Sequence, residues 1–343
     1  VAKRFSLQAA VERRWYGQPG CLLLLSPLEK LFSSITQKRK RTHLQASSVY
    51  SCPVIVVGNI SVGGTGKTPT IIALVKLLQN MGKKPGVISR GYGRKSDTLA
   101  LVDDNSKAHE VGDEPLLIYR ATACNVAVSS DRHEAIETLA KQHQCDIVLS
   151  DDGLQHYKMH RDKEIIVVDG ERLFGNGHLL PVGPLREYPA RLREASWVLV
   201  NMPSGSSFGD LENLQELSTA HAIRVKAKVL TDIVSAQQYP LSILQSCDNL
   251  VAFAGLGNPN KFFKTLDSLG FRYHKKPFPD HHHYCAEDFS GLENKTIIMT
   301  EKDAVKCRHL ITGVAYSLAI EMVFPEAFIE QFRSAITKLL NNS

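Results

Sequence analysis

Apolar residues along this chain fall into short unbroken runs, each followed by a polar or glycine-rich break and then a helix-length segment. Val54-Ile55-Val56-Val57 is the first run. Lys84 to Ser89, Asn125 to Val128, Cys145 to Leu149, Glu164 to Asp169 and Trp197 to Val200 continue the series. Runs without polar alternation predict strands covered on both faces, as in parallel sheets flanked by helices. Ile71 to Leu78 and Asp131 to Gln142 have helical length and composition, the second opening on Ser130 and Asp131. Such strand–helix alternation predicts an α/β fold with a mostly parallel sheet. It holds to about Asn201, and Pro203 to Gly209 (PSGSSFG) then interrupts it. His221 to Val229 alternates like a connecting strand. Leu250 to Ala254, Phe271 to His274, Lys295 to Thr300 and Val314 to Ile320 suggest a smaller α/β unit that ends in a helix from Pro325 to Leu340. The expected division is an arm over 1–45, a core over 46–220 and a smaller C-terminal domain over 221–343. Between the core strands, Gly170 to Arg193 reads as a long irregular loop rich in Gly, Pro and Arg, a feature of functional segments. No internal repeat or low-complexity tract is present.

The arm has its own pattern. Cys21-Leu22-Leu23-Leu24-Leu25 is strongly apolar but far short of a membrane span of ~20 residues. Ser26 reads as an N-cap, Pro27 as the first helical residue and Glu29 as the closing residue of a capping box. Leu28, Leu31, Phe32 and Ile35 follow at helical spacing, and Lys38-Arg39-Lys40-Arg41 close the segment with positive charge. An apolar stripe ending in a basic cluster suits a helix lying on an anionic membrane. It suits equally a helix packed on the core with a solvated basic end.

Composition changes this picture little. The chain has 343 residues, 43% apolar and 22% charged, ordinary values for a globular protein of one large or two average domains. A net charge of +6 is compatible with anionic partners without selecting one. Seven cysteines without a CxxC pair predict neither a zinc site nor a disulfide framework, and favour a reducing compartment. Because the chain begins at Val1 and not Met, residues upstream are expected.

The candidate chemistry sits where the first apolar run ends. Pro53 to Pro69 reads PVIVVGNISVGGTGKTP: strand, glycine-rich turn, Gly66-Lys67-Thr68, helix. That is a phosphate-binding P-loop in its proper context. Glycines let backbone N–H groups curl inward toward phosphate oxygens, and the following helix adds its positive N-terminal end. Ser61, Val62, Gly63, Gly64, Thr65, Gly66, Lys67 and Thr68 form the expected cradle for ATP. Lys67 would reach the β- and γ-phosphates and the Thr68 hydroxyl would hold Mg²⁺. Ser61 stands where the general pattern has Gly. Asp151 and Asp152 end an apolar strand, the place of a P-loop's acidic partner near the metal. Arg90, in Arg90-Gly91-Tyr92-Gly93-Arg94, puts a guanidinium at a strand end where it can meet phosphate. Gly255-Leu256-Gly257-Asn258-Pro259 looks like a dinucleotide-binding turn but lacks the third glycine, and reads as structural. His281-His282-His283, taken alone, reads as an exposed polar loop or a chance metal binder.

The chain has no NKxD motif for guanine, and Val62 stands where partition ATPases carry an extra lysine. Kinase or synthetase chemistry remains; a membrane-associated nucleotide switch is the alternative. VGNISVGGTGKTP closely resembles the tetraacyldisaccharide 4'-kinase family, which tolerates Ser or Thr at position 61. RGYGRK (Arg90–Lys95), VGDEP (Val111–Pro115), SSDRHEA (Ser129–Ala135), DDGLQH (Asp151–His156), LLPVGPLRE (Leu179–Glu187), FAGLGNP (Phe253–Pro259), FPDHH (Phe278–His282) and TEKDAVK (Thr300–Lys306) resemble that family's segments in its order. The likeness runs from about Trp15 to the end. It implies a P-loop NTPase core with a smaller C-terminal domain closing over the nucleotide. It implies ATP and Mg²⁺, an acylated glucosamine disaccharide as acceptor, transfer to its 4'-hydroxyl, and residence on the anionic cytoplasmic face of the inner membrane, peripheral or monotopic. It implies neither a nucleic acid nor a protein partner. By similarity Asp113 matches the general base and His281 its supporting partner. Asp151 and Asp152 match the metal and active-site acids, and Arg186 and Glu187 a basic–acidic pair. Arg90, Tyr92, Gln155, His156, Arg186 and Glu187 are the candidate substrate contacts. Which of Asp113, Asp151 and Asp152 acts as base, and which holds metal, stays open at this point.

Overall fold

The computed structural model describes residues 10–44, 50–91, 94, 96–203, 205–206, 208–212, 214–280 and 282–341. Its strands are β1 (Val54–Gly58), β2 (Pro85–Ser89), β3 (Ala100–Leu101), β4 (Asn125–Val128), β5 (Ile147–Asp151), β6 (Lys163–Asp169) and β7 (Trp197–Met202). They continue with β8 (His221–Asp232), β9 (Gln238–Tyr239), β10 (Leu250–Ala254), β11 (His274–Pro277), β12 (Thr296–Thr300) and β13 (Ala315–Val323). All belong to one sheet in the order β11-β10-β12-β13-β8-β7-β6-β1-β5-β2-β4-β3, with β9 paired to β8. The β3–β4, β8–β9 and β8–β13 pairs are antiparallel and the others parallel.

Unbroken apolar runs are explained by helices on both faces. On β1, Ile55 and Val57 enter one core with Ile71, Leu74 and Leu78 of the helix Lys67–Asn80. Val54 and Val56 enter the opposite core with Ile136 and Leu139 of the helix Arg132–Lys141. Asp131 caps that second helix, accepting from the N–H groups of His133 and Glu134. β1 lies between β5 and β6, while the chain leaving it runs on to β2 beyond β5. Strand order therefore reverses at the C-terminal end of β1, the place where doubly wound sheets bind ligands.

β8 carries the sheet from one half to the other. Its first residues pair with β7, and Arg224 to Asp232 pair with β13 across a register shift at Ala319/Ile320. The C-terminal half repeats the two-faced pattern on β10, with Leu250 and Ala252 in one cluster and Val251 and Phe253 in another. The last helix, Glu326–Asn341, returns to the first half: Phe328, Phe332 and Ile336 are fully buried, and the two phenylalanines pack on Trp197 of β7. Spacing of four residues puts the three on one face, so the helix buries that stripe on the core rather than on its sequence neighbours.

Local expectations fail in four places. The capping box at Ser26 does not form. A 3₁₀ turn over Gly20–Leu25 already precedes the helix Ser26–Leu44, so the Ser26 hydroxyl bonds back to Leu23 O at 2.5 Å and Glu29 turns elsewhere. The strand expected over Phe271 to His274 starts at His274 instead, because Phe271 is drawn into the core under the helix Pro259–Ser268. β3 and β9, of two residues each, are too short to be read as strands from the sequence, although β3 lies in the apolar run Leu99 to Val102. The segment expected as an irregular loop includes a 3₁₀ helix, Pro189–Glu194, and two isolated β-bridges, Ser61–Leu185 and Leu179–Leu185.

Candidate active site

β1 delivers the chain into the loop 59–66. Asn59 Nδ2 donates to Ser61 O at 2.7 Å and Val62 N–H donates to Pro184 O at 2.8 Å, so the loop is fixed from inside and outside. Gly63 and Gly66 sit at φ 109° and 98°, conformations that side chains rarely adopt. Gly66 is also crowded: a Cβ there would lie 2.5 Å from Asn201 Nδ2, which itself donates to Thr65 O at 3.1 Å. Asn201, at the tip of β7, is thus a positioner of the P-loop that the motif string does not reveal. Its only sequence signal is a polar residue ending the run Trp197 to Val200.

Lys67 opens the helix, its Nζ 3.4 Å from Asp152 Oδ1. Asp152 Oδ2 lies 3.3 Å from Arg186 Nη1, which also donates to Gln155 Oε1. Gln155 Nε2 donates to Asn59 O and to Glu187 Oε1, and Glu187 faces Arg191 Nε at 3.3 Å. Lys67, Asp152, Gln155, Arg186 and Glu187 therefore form one hydrogen-bonded chain beneath the P-loop. Asp152 takes φ 48°, unusual for a side-chain-bearing residue and typical of strained functional turns. Burial opposes its ionisation, but Lys67 and Arg186 outweigh that and hold the carboxyl below the usual range. Asp151 behaves oppositely. It is 2% exposed, and burial, with Glu114 and Asp152 nearby, pushes its carboxyl up to about 7 against the pull of Lys67 and Arg132. Arg132 Nη2 donates to the Asp151 carbonyl, but the carboxyl Oδ1 of Asp151 has no hydrogen-bond partner among the described residues.

Asp113 is the first residue of the helix Asp113–Thr122 and is 6% exposed. Its Oδ1 accepts the Glu114 N–H. Lys302, from the C-terminal half, places its ammonium 2.9 Å from Glu114, 3.5 Å from Asp280 and 3.7 Å from Asp113. Burial would discharge this lysine, but the three carboxylates raise its pKa above the ordinary value. Lys302 lies in the family-like segment TEKDAVK, but its role is not legible there, since its partners lie far away in the chain. The C-terminal half also meets the P-loop at Gly257, where a Cβ would sit 3.4 Å from Gly64 N. The stretch read as a structural turn thus packs directly on the phosphate loop. Lys261 joins the halves again through Asp169 at 2.8 Å. Arg90 is exposed at the end of β2. His156 is half-buried, and burial, helped by Arg132 and other cations including Arg90, lowers its pKa and favours the neutral ring. Tyr92 and His281 lie outside the described residues.

The arm docks beside this centre. Trp15 Nε1 donates to Pro181 O at 3.0 Å and Tyr16 Oη donates to Val62 O at 3.2 Å. Along the helix Ser26–Leu44, Leu28, Leu31 and Ile35 are exposed, as is Leu24 just before it. Among the described residues no helix is long and apolar enough to cross a membrane.

A glycine-built phosphate loop at the switch point of a parallel sheet, with lysine and acids converging on it, defines a P-loop nucleotide-dependent phosphotransferase. Residues 21–337 match the family model for tetraacyldisaccharide-1-P 4'-kinase, and the chain belongs to that family. It is 40% identical over 337 residues to the tetraacyldisaccharide 4'-kinase of Methylobacillus flagellatus, covering 96% of each chain. To that of Haemophilus influenzae it is 45% identical over 300 residues, 86% of each. LpxK from Aquifex aeolicus, solved in complex with ATP, superposes with a TM-score of 0.76 at 27% identity, over 93% of this chain and 99% of that one.

Proposed function

We propose that this enzyme transfers the γ-phosphoryl group of ATP to the 4'-hydroxyl of a tetraacylated glucosamine disaccharide 1-phosphate, a step of lipid A biosynthesis. The observation that carries the reading is the convergence of Lys67, Asp151, Asp152 and the Asp113–Glu114 helix start on one spot at the end of β1 and β5. Residues 61–68 hold the phosphates, and Lys67 offsets charge on the group in transfer. Asp113 accepts the proton of the acceptor hydroxyl, supported by His281. A sugar hydroxyl is a poor nucleophile at neutral pH, so a fixed carboxylate beside it lowers the barrier. Arg186, Gln155 and Glu187 line the acceptor side, with Arg90, Tyr92 and His156 as further contacts.

A divalent cation fits the residues present. Asp151 holds a buried carboxyl oxygen with no partner among the described residues, the kind of group a bound cation satisfies. Mg²⁺ is usually held by one or two carboxylates plus substrate phosphates and water, which asks for no larger acid cluster. Thr68 and Asp151 would hold it, and when bound it neutralises phosphate charge. Thr68→Ala is expected to weaken Mg²⁺-nucleotide use more than binding of metal-free nucleotide. Titrating nucleotide with and without Mg²⁺ checks this, and equal losses in both would remove Thr68 from the metal.

The exposed stripe Leu24, Leu28, Leu31 and Ile35, with Lys38 to Arg41 at the helix end, suits a peripheral helix on the anionic cytoplasmic face of the inner membrane. Glu placed at both Leu28 and Leu31 is expected to release the protein from anionic vesicles. High salt alone should weaken binding in part, since it screens the basic cluster and leaves apolar insertion intact. A double variant that floats with vesicles as the parent does would show that this helix is not the anchor. The activity itself is tested with labelled ATP and acylated disaccharide, followed by separation of the lipid. Label in the lipid supports the kinase, and label released only as free phosphate would identify a hydrolytic switch.

A further inference from the structure

Glu29 is a carboxylate in an unexpected place. It sits on the arm helix, whose neighbouring Leu28 and Leu31 are exposed, yet it is itself 7% exposed. A buried carboxylate is costly to keep unless partners compensate it. Its partners come from the segment after β6: the Leu179 N–H donates to Oε1 at 2.8 Å, and His178 Nδ1 lies 3.1 Å from Oε2.

That segment is closed on itself. The Leu180 N–H donates to Leu185 O, the Leu185 N–H to His178 O and the Gly183 N–H to Leu179 O. Its far side is the outer wall of the phosphate loop. Ser61 bridges Leu185, the Val62 N–H reaches Pro184 O, and the Arg186 N–H donates to Ile60 O at 2.7 Å. The next atoms along are the Arg186 guanidinium and Asp152, then Lys67. Trp15, bonded to Pro181 O, anchors the same ring from a second point on the arm.

We propose that Glu29 is a positioning residue: it ties the lipid-facing helix to the 178–186 ring and thereby aims Arg186 and the P-loop wall at the acceptor. The proposal rests on the kinase reading given above. Seating the helix on a lipid surface then sets the geometry of the catalytic centre as well as the location of the enzyme. Misplacement of reacting groups by about 1 Å is enough to cost up to ~10²-fold in rate.

Glu29→Ala and Glu29→Gln are compared with the parent on vesicles containing the acylated disaccharide acceptor, measuring kcat, the KM for ATP, vesicle partition and melting temperature. Glu29→Ala is expected to lose about ten- to hundredfold in kcat, with the KM for ATP unchanged because Asn59 and Asn201 still hold the phosphate loop, and partition unchanged because the apolar stripe is intact. Glu29→Gln keeps an oxygen to accept from Leu179 and is expected to recover most of the kcat. Parental kcat in Glu29→Ala overturns the proposal. So does a loss that tracks partition, or a Gln variant as slow as the Ala variant. If Glu29→Ala does not fold, Glu29→Asp carries the test: one methylene shorter, it keeps the charge but draws back from Leu179. Parental kcat in folded Glu29→Asp overturns the proposal equally. A parent enzyme that labels no lipid in this assay refutes the kinase reading instead, so the two failures are distinguishable.

Discussion

Lys67→Ala is expected to lower kcat by about 10²–10³-fold, the usual worth of one preorganised electrostatic contact to a transition state, about 3–4 kcal/mol. The protein should stay folded. Lys67 sits at the first position of its helix, with its ammonium 3.4 Å from Asp152 and 15% of its side chain exposed. The packing lost with it is confined to the stem of one side chain at the helix start. Asp152 keeps Arg186 as a counter-charge, so removing the lysine does not strand a carboxylate. ATP should still bind, through the loop amides and Thr68. The measurements are kcat with the lipid acceptor, nucleotide binding and a melting curve. A folded variant within a few-fold of parental activity would refute the assignment of the phosphate loop.

What the chain discloses before folding is whatever is local. The P-loop string, the strand tip Asp151-Asp152 and the cap Asp131 are each written in fewer than twenty consecutive positions, and all appear where the pattern puts them. Residues that act across the fold leave no such trace. Lys302 meets Glu114 across 188 positions, Glu29 meets Leu179 across 150 and Asn201 meets Thr65 across 136. Each is an ordinary polar residue in its own neighbourhood. Packing across the fold brings each to its partner, as where Trp197, buried in the core, seats the strand that carries Asn201. Ser26 fails in the opposite sense. Its local signal for a cap is strong, but the turn Gly20–Leu25 continues into the helix and Glu29 has a better partner in the Leu179 N–H.

Asp113→Ala is expected to cost about 10²–10⁴-fold in kcat, the range for a general base. ATP binding should survive, since Lys67, Thr68 and the loop amides remain. His281→Ala should cost less, and the double variant should lose far less than the product of the single losses, because groups acting as one unit are not additive. The competing assignment makes Asp113 a metal ligand and Asp151 or Asp152 the base. The local electrostatics disfavour Asp152, since Lys67 and Arg186 hold it as an anion and a carboxyl kept below its usual range is a weak proton acceptor. Asp151, its carbonyl fixed by Arg132, holds the buried carboxyl oxygen without a hydrogen-bond partner among the described residues that suits a cation, which assigns it to the metal rather than to the proton. Asp113 lies at a helix start, 3.7 Å from Lys302 of the C-terminal half, which also reaches Asp280 at 3.5 Å. The decisive measurement is kcat against pH and against Mg²⁺ for Asp113→Ala, Asp151→Ala and Asp152→Ala. If Asp113 is the base, its loss removes the acidic limb of the profile at every Mg²⁺ concentration. Full recovery of Asp113→Ala in excess Mg²⁺, with the acidic limb retained, would transfer the proton to one of the other two carboxylates.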